Sequence, residues 1–331
     1  MFKYPSIRQF RDTVRSIEFD NVKDPVEFVR TTKIHGANCS VVFSLKDESI
    51  SKQSRNQVIS SEDDFMGFSK FVDKNIHVFK EMFQDYLCLS REPRPEGTTH
   101  IIFYGEWCGK GIQKSVAVNK LEKMFVIFDV GFVIDTASVD ESGDTEVELD
   151  NEFFSNSSLL TGNEQIYSIY NFKPATVSLD FTSPEELQSK LLADVQLVEE
   201  KCPVASHFGV EGVGEGYVYT SVCGRYKFKM KGSKHKVSEK SIRTPEELQA
   251  LEDVTNFVGS VVLEPRLAQG IDYLNELGIP VESKSTGAYI KWVVQDVLKE
   301  EGDLISSLGL NKTNVTKEVS RVAREYFQGT V

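Results

Sequence analysis

The chain has 331 residues, 40% hydrophobic and 27% charged, which is the composition of a globular protein long enough for two domains. Its net charge of −12 argues against a generic nucleic-acid coat, and no run of about 18 apolar residues exists to cross a membrane. The opening Met1-Phe2-Lys3-Tyr4-Pro5-Ser6 lacks the apolar core of a signal peptide. The five cysteines (Cys39, Cys88, Cys108, Cys202, Cys223) are scattered, with no CxxC pair. An intracellular, cytoplasmic protein with reduced thiols and no membrane partner is expected.

In chain order, Ile7 to Phe19 reads as a short helix, and Asp24-Pro25 turns into a strand at Val26-Glu27-Phe28-Val29. The stretch Thr31-Thr32-Lys33-Ile34-His35-Gly36-Ala37-Asn38 then places a lysine and a His-Gly turn before a second strand, Cys39 to Leu45. Lys46-Asp47-Glu48-Ser49 is a hairpin turn returning toward Ser54-Arg55-Asn56. Residues 65–87 space their apolar groups by three and four, which predicts one helix. His100 to Trp107 reads as a buried strand that carries Glu106 near its end, and Phe125 to Val133 as another.

Between Val133 and Glu164 nine acids occur with no Lys or Arg, so 134–164 is expected to be an exposed acidic insertion. Ser183-Pro184-Glu185-Glu186 is a capping box opening a helix to about Lys201. Glu215 to Tyr219 and Arg225 to Lys231 alternate with period two and are expected to pair. From Arg225 to Arg243 eight basic residues face one acid, Glu239, a run that can form one concentrated basic face and whose plainer reading is a solvated surface. A second capping box, Thr244-Pro245-Glu246-Glu247, marks the change from strands to helices. The expectation is an α+β chain: an antiparallel-sheet domain over 1–243, then a small all-α domain over 244–331. No internal repeat is seen.

The chemistry points to Lys33. A lysine nucleophile reacts as the free amine, so nearby cations or burial must lower its pKa. Lys229 and Lys231 alternate with Phe228 and Met230, which puts both ammonium groups on one strand face, suited to that task and to phosphate binding. Glu215 offers a hard oxygen for Mg²⁺, Glu106 an acceptor for ribose hydroxyls, and Phe128 a ring to stack on a base. Against these stand plainer readings. His35 alone suits a structural histidine, Asp129 a strand cap, His207 a packed loop, and Trp107, Tyr217 and Phe228 the core.

Lys33-Ile34-His35-Gly36, Asp64-Phe65-Met66-Gly67, Tyr104-Gly105-Glu106-Trp107-Cys108-Gly109-Lys110-Gly111-Ile112-Gln113, Glu215-Gly216-Tyr217-Val218 and Lys229-x-Lys231 occur in that order. Over about residues 20–240 the sequence resembles the RNA ligase 2 family of ATP-dependent RNA ligases, within the covalent nucleotidyltransferase superfamily. DNA-joining and capping relatives usually carry Asp where this chain has His35.

The resemblance implies a nucleotidyltransferase (ATP-grasp-like ligase) domain in which Lys33 takes AMP from ATP. The backbone at Thr32 and Ile34 reads adenine and Phe128 stacks on it. Glu106 and Arg55 lie on the ribose side, and Asn38 at the AMP phosphate. His35 supports later steps, Glu215 belongs to a Mg²⁺ (or Mn²⁺) site, and Lys229 and Lys231 contact phosphate. Glu211 is a second candidate for the metal carboxylate, and Lys227/Lys229 a second register for the lysine pair. The implied activity is joining of 3′-OH and 5′-phosphate RNA ends at nicks in duplex RNA, by a monomer engaged in RNA repair. The alternatives are a DNA-joining or capping nucleotidyltransferase, or an RNA-binding relative without catalysis.

Overall fold

The computed structural model describes residues 1–62, 64–89, 94–139, 143–150, 158, 165–235, 248–249 and 251–331. Twelve strands are described: β1 (Arg8–Gln9), β2 (Val26–Lys33), β3 (Ala37–Ser44), β4 (Ile50–Ser54), β5 (Val58–Ile59), β6 (Thr98–Cys108), β7 (Met124–Ile134), β8 (Glu148–Leu149), β9 (Ile166–Ser168), β10 (Ala175–Leu179), β11 (Gly216–Ser221) and β12 (Lys227–Lys231). They form two sheets, one in the order β1-β12-β11-β2-β10 and the other in the order β5-β4-β3-β6-β7-β8, with β9 parallel to β7. The ladders β2–β10, β2–β11, β3–β4, β3–β6, β4–β5, β6–β7 and β7–β8 are antiparallel. The helices are α1 (Phe10–Phe19), α2 (Phe68–Lys74), α3 (Ile76–Leu89), α4 (Pro184–Glu200), α5 (Pro203–His207), α6 (Val254–Val261), α7 (Glu264–Glu276), α8 (Thr286–Glu300), α9 (Gly302–Ser307) and α10 (Lys312–Gln328). The expected α+β class, with antiparallel sheets followed by a helical region, is what the chain adopts.

Two compact units divide the chain. The first comprises 1–8, 25–179 and 197–229; the second comprises 9–24, 180–196 and 230–331. The boundary expected at 243/244, and the capping box beside it, lie outside the described residues.

In the first unit, the second sheet is buried on both faces, which explains the near-continuous apolar run of its central strands. Ile101 and Phe103 of β6 face α2 and α3, where the Phe83 ring stacks on Phe103 at 3.9 Å and on Phe43 at 5.0 Å. The opposite face carries Val42, Ile102, Tyr104 and Val133. It is covered by Phe2, Tyr4, Val147 and Leu149.

The single helix expected over 65–87 is instead a 3₁₀ turn at Phe65–Gly67 followed by α2 and α3. The break falls at Asn75, whose side-chain amide donates to the Phe71 carbonyl at 2.8 Å and so competes with the helical ladder. Where it is described, the acidic stretch is exposed at Asp135, Glu146 and Glu148 but is also packed onto the first unit in places. Asp144 is buried beside Lys3 at 2.5 Å, β8 pairs with β7, and Tyr86 donates its hydroxyl hydrogen to Asp150. Residues 140–142, 151–157 and 159–164 lie outside the described residues.

In the second unit, α6 to α10 enclose Phe257, Leu274, Tyr289, Val293, Val319 and Phe327. Arg11 of α1 joins a charge group in which Arg11, Arg266 and Glu301 are buried and Asp296 is half-buried, donating to Glu301 at 2.8 Å, while Arg266 reaches Glu301 at 3.2 Å and Asp296 at 2.9 Å. The N-terminal helix is therefore built into the helical unit, a link that local periodicity does not carry.

Candidate active site

Lys33 ends β2 in one sheet, and Ala37 begins β3 in the other. The turn Ile34-His35-Gly36 is thus the crossing between the sheets. Gly36 is required there by close approach: a Cβ would lie 2.6 Å from the Trp107 carbonyl oxygen and 2.9 Å from Glu106 Cγ. Its N–H donates to Glu106 Oε1 at 2.9 Å. The β3–β6 register sets Asn38 opposite Glu106, and Arg55 in the β4–β5 turn donates its N–H to the Asn38 carbonyl at 3.1 Å.

On the other side, Gly216 pairs with Lys33 and Tyr217 with Thr32 across β2 and β11, which brings Glu215 to the lysine. Lys33 Nζ donates to Glu215 Oε2 at 2.7 Å, and His35 Nδ1 lies 3.7 Å from the same oxygen. The Glu215 side chain is 1% exposed and that of Lys33 21%. Glu211, by contrast, points to solvent and pairs with Lys201 at 2.9 Å.

The charges are strongly coupled. Burial pulls the Lys33 pKa down, but Glu215 and then Glu106 outweigh it, so the lysine sits above its usual value. This reverses the expectation of a lowered pKa: two carboxylates dominate the ammonium's surroundings, and Arg55 opposes them only weakly. Glu106 is pushed up to about 7, first by burial and then by Glu215, against the opposing pull of Lys33, the Gly36 N–H and Arg55.

Phe128 owes its position to a β-bulge. Tyr104 pairs with Asp129 and Gly105 with Ile127, which leaves Phe128 as the extra residue in β7. Its ring is half-buried and packs edge-on against Tyr4, with centroids 5.0 Å apart. The neighbouring Asp129 is buried. It accepts from Tyr4 Oη at 2.8 Å and from Lys227 Nζ at 2.6 Å.

Two ring contacts settle which face β12 presents. Phe228 meets Phe28 edge-on at 5.5 Å and stacks on Tyr219 at 4.8 Å. Its side of the sheet is thus that of Phe28 and Thr32. Lys227 and Lys229 fall on the opposite side with Lys33, facing the second sheet. Lys231 continues the alternation in the second unit.

Thr32 and Ile34 are buried, and Trp107 and Phe228 are core as read from the sequence. Tyr217 is half-buried under the Arg30 guanidinium, 4.4 Å from its ring centroid. His207 closes the short α5; it is solvent-exposed, and its ring packs edge-on against Phe172 at 5.2 Å and Phe208 at 4.9 Å. The Asp64-Phe65-Met66-Gly67 motif is tied to the site strand: Met66 has φ 48°, Gly67 φ 88°, and the Met66 carbonyl accepts from Trp107 Nε1 at 3.1 Å and Lys123 Nζ at 2.6 Å. Sequence reasoning missed the partnership of Tyr4 and Lys227 with Asp129. Tyr4 carries no local signal for it, and Lys227 is visible only as an alternative lysine register.

In its described part, the first unit therefore joins a lysine and two acids at the crossing of two sheets, with the half-buried Phe128 ring farther along β7 beside Tyr4. Among solved structures, a lysine-to-methionine mutant of Naegleria gruberi RNA ligase with AMP and Mn is 18% identical, with a TM-score of 0.43 over 70% of this chain and 56% of that one. A lysine-to-alanine mutant of the same protein with ATP and Mn gives 17% identity and the same score and coverage. The same ligase with PPi gives 17% identity and a TM-score of 0.43 over 70% and 58%. The chain spans a little over half the length of those structures. No curated protein matches the sequence. The RNA ligase family profile matches residues 26–231, more than half of the chain and the stretch from the start of β2 to the end of β12, and the chain belongs to that family.

Proposed function

We propose that the chain is an ATP-dependent RNA ligase that joins 3′-OH and 5′-phosphate RNA ends at nicks in duplex RNA, through a lysyl-AMP intermediate, in RNA repair. The observation that carries this reading is the 2.7 Å pair between Lys33 and the buried Glu215 at the crossing of the two sheets, beside Glu106. A half-buried lysine hydrogen-bonded to a carboxylate that can take its proton, with Lys227 and Lys229 of β12 on the same side, suits nucleotidyl transfer better than simple binding.

In this reading Lys33 Nζ forms a bond to the α-phosphorus of ATP as the bond to the departing pyrophosphate breaks. The proton it must shed lies in the hydrogen bond to Glu215. Phe128 stacks on adenine, the backbone at Thr32 and Ile34 reads its edge, Glu106 and Arg55 hold the ribose side, and Asn38 meets the AMP phosphate. Lys229 and Lys231 contact phosphate and favour pyrophosphate departure. Lys227 is engaged by Asp129, which favours the Lys229/Lys231 register. AMP then passes to the RNA 5′-phosphate, and attack by the 3′-hydroxyl releases AMP, with His35 supporting these later steps.

Glu215 fits a divalent ion as a hard, buried oxygen donor. Among the described residues no three His, Cys, Asp or Glu side chains gather into a cage, so the remaining ligands would be nucleotide and water oxygens. When bound, Mg²⁺ or Mn²⁺ supplies charge withdrawal from the phosphate and eases in-line displacement. We assign adenylation to residues 1–243 and a helical domain to 244–331 of a monomer, with the basic segment 225–243 and the helical domain supplying contacts to A-form backbone and 2′-hydroxyls.

The test is incubation with α-labelled ATP. Wild type is expected to take a covalent label and Lys33→Ala none; an unlabelled wild type, or a labelled variant, refutes the mechanism. Competing nicked RNA, nicked DNA and diphosphate-ended RNA separates RNA joining from DNA joining and capping.

A further inference from the structure

The Asp129–Lys227 pair joins the two sheets of the first unit at a point adjacent to two residues of the proposed nucleotide pocket. Phe128 immediately precedes Asp129 at the β7 bulge. Lys229 follows Lys227 by two on the same face of β12. Lys227 Nζ lies 2.6 Å from Asp129 Oδ2, and the Asp129 side chain is 4% exposed. Tyr4 closes the third side. Its hydroxyl donates to Asp129 at 2.8 Å and accepts from Lys227 at 2.7 Å, while its ring meets Phe128 edge-on. The Lys227 ammonium also lies 5.4 Å from the Tyr4 ring centroid. Burial, then Asp129, raises the phenol pKa well above its usual value, so Tyr4 keeps the proton it donates. Asp129 Oδ1 in turn accepts from the Val130 N–H at 3.0 Å, which anchors the carboxylate to the bulged strand. Every charge in the group is used within it.

We propose that Tyr4, Asp129 and Lys227 are positioning residues that set the spacing between the base-stacking ring Phe128 and the phosphate-side Lys229. This rests on the ligase reading above. None of the three touches the nucleotide. The ion pair holds the two sheets at one separation, and the Tyr4 edge holds the Phe128 ring in one orientation, so the pocket matches the distance from base to phosphate before ATP arrives. A charge-assisted group of this kind, with its partners aimed by the backbone, is stiffer than apolar packing and tolerates little displacement.

The experiment measures the initial rate of lysyl-AMP formation against ATP concentration, with thermal melting as a control for folding. Asp129→Asn keeps the shape and removes the charge; Tyr4→Phe keeps the ring and removes the hydroxyl; Tyr4→Ala removes both. Asp129→Asn and Tyr4→Ala are expected to raise the KM for ATP about tenfold, the cost of losing one charge-assisted hydrogen bond, with the rate at saturating ATP changed less than the KM. Tyr4→Phe gives a smaller rise and melts near wild type, so the result stands even where Asp129→Asn folds poorly. A KM unchanged within about twofold in folded Tyr4→Ala and Tyr4→Phe overturns the positioning role while leaving the ligase reading intact. A wild-type protein that forms no lysyl-AMP overturns the ligase reading itself.

Discussion

Glu106 is the group whose ionisation the structure ties most directly to stability. Its pKa rises from the usual 4.5 to about 7, mainly through burial. In the unfolded chain it ionises near the usual value. Between those two pH values the folded state therefore holds a proton that the unfolded state has released, and stability falls as pH rises. The contribution is complete below about pH 4.5 and lost above about pH 7. A shift of this size corresponds to about 3 kcal/mol. Because Glu106 is only half-buried, solvent screening reduces this to about 2 kcal/mol. Glu106→Gln keeps an oxygen to accept from the Gly36 N–H and cannot ionise, so it removes the slope between about pH 4.5 and 7 while also removing the repulsion from Glu215 and the attraction to Lys33. Urea unfolding of both proteins at intervals from pH 5 to 8 should show the variant gaining on wild type by about 2 kcal/mol across the range. Lys33 does not confuse the window. Its folded pKa is raised above a value that is already alkaline, so its stabilising effect is lost only at high pH. Parallel stability curves for the two proteins would refute the burial argument for Glu106.

Gly36→Ala forces a methyl group to within 2.6 Å of a backbone oxygen. It should cost about 1–3 kcal/mol in thermal or urea unfolding and weaken AMP labelling together with it, because the Glu106 contact moves. Glu301→Gln should destabilise the helical unit by about 3–5 kcal/mol, since Arg11 and Arg266 would share a buried partner without charge; urea unfolding followed by far-UV circular dichroism measures this. Trp107→Phe removes the N–H donated to the Met66 carbonyl and opens a cavity beside Phe68 and Phe71, and should cost about 2–3 kcal/mol in the same assay, without abolishing lysyl-AMP formation.

Much of the site was legible in the primary structure because its signals are local. Lys33 before a His-Gly turn, Glu106 near a strand end, and alternating lysines in β12 are each written within a few residues. The strands β2, β3, β6, β7, β11 and β12 fall where the apolar periods put them. Helix breaks are less legible. Asn75 interrupts 65–87 through a side-chain hydrogen bond whose competition with the ladder no apolar spacing records.

Local patterning accounts for the main strands, the order of the motifs and the chemical types of the candidate residues, since backbone period and turn chemistry act over a few residues. Tertiary structure decided who meets whom. Strand register brings Glu215 to Lys33 across 182 positions and leaves Glu211 in solvent. The bulge in β7 exposes one edge of the Phe128 neighbourhood to Tyr4, and Asp129 claims Lys227. The direction of the Lys33 pKa belongs to the same class. Coulomb interactions depend on distance and burial, and the two carboxylates that outweigh desolvation come from β6 and from the residue preceding β11, far from Lys33 in sequence.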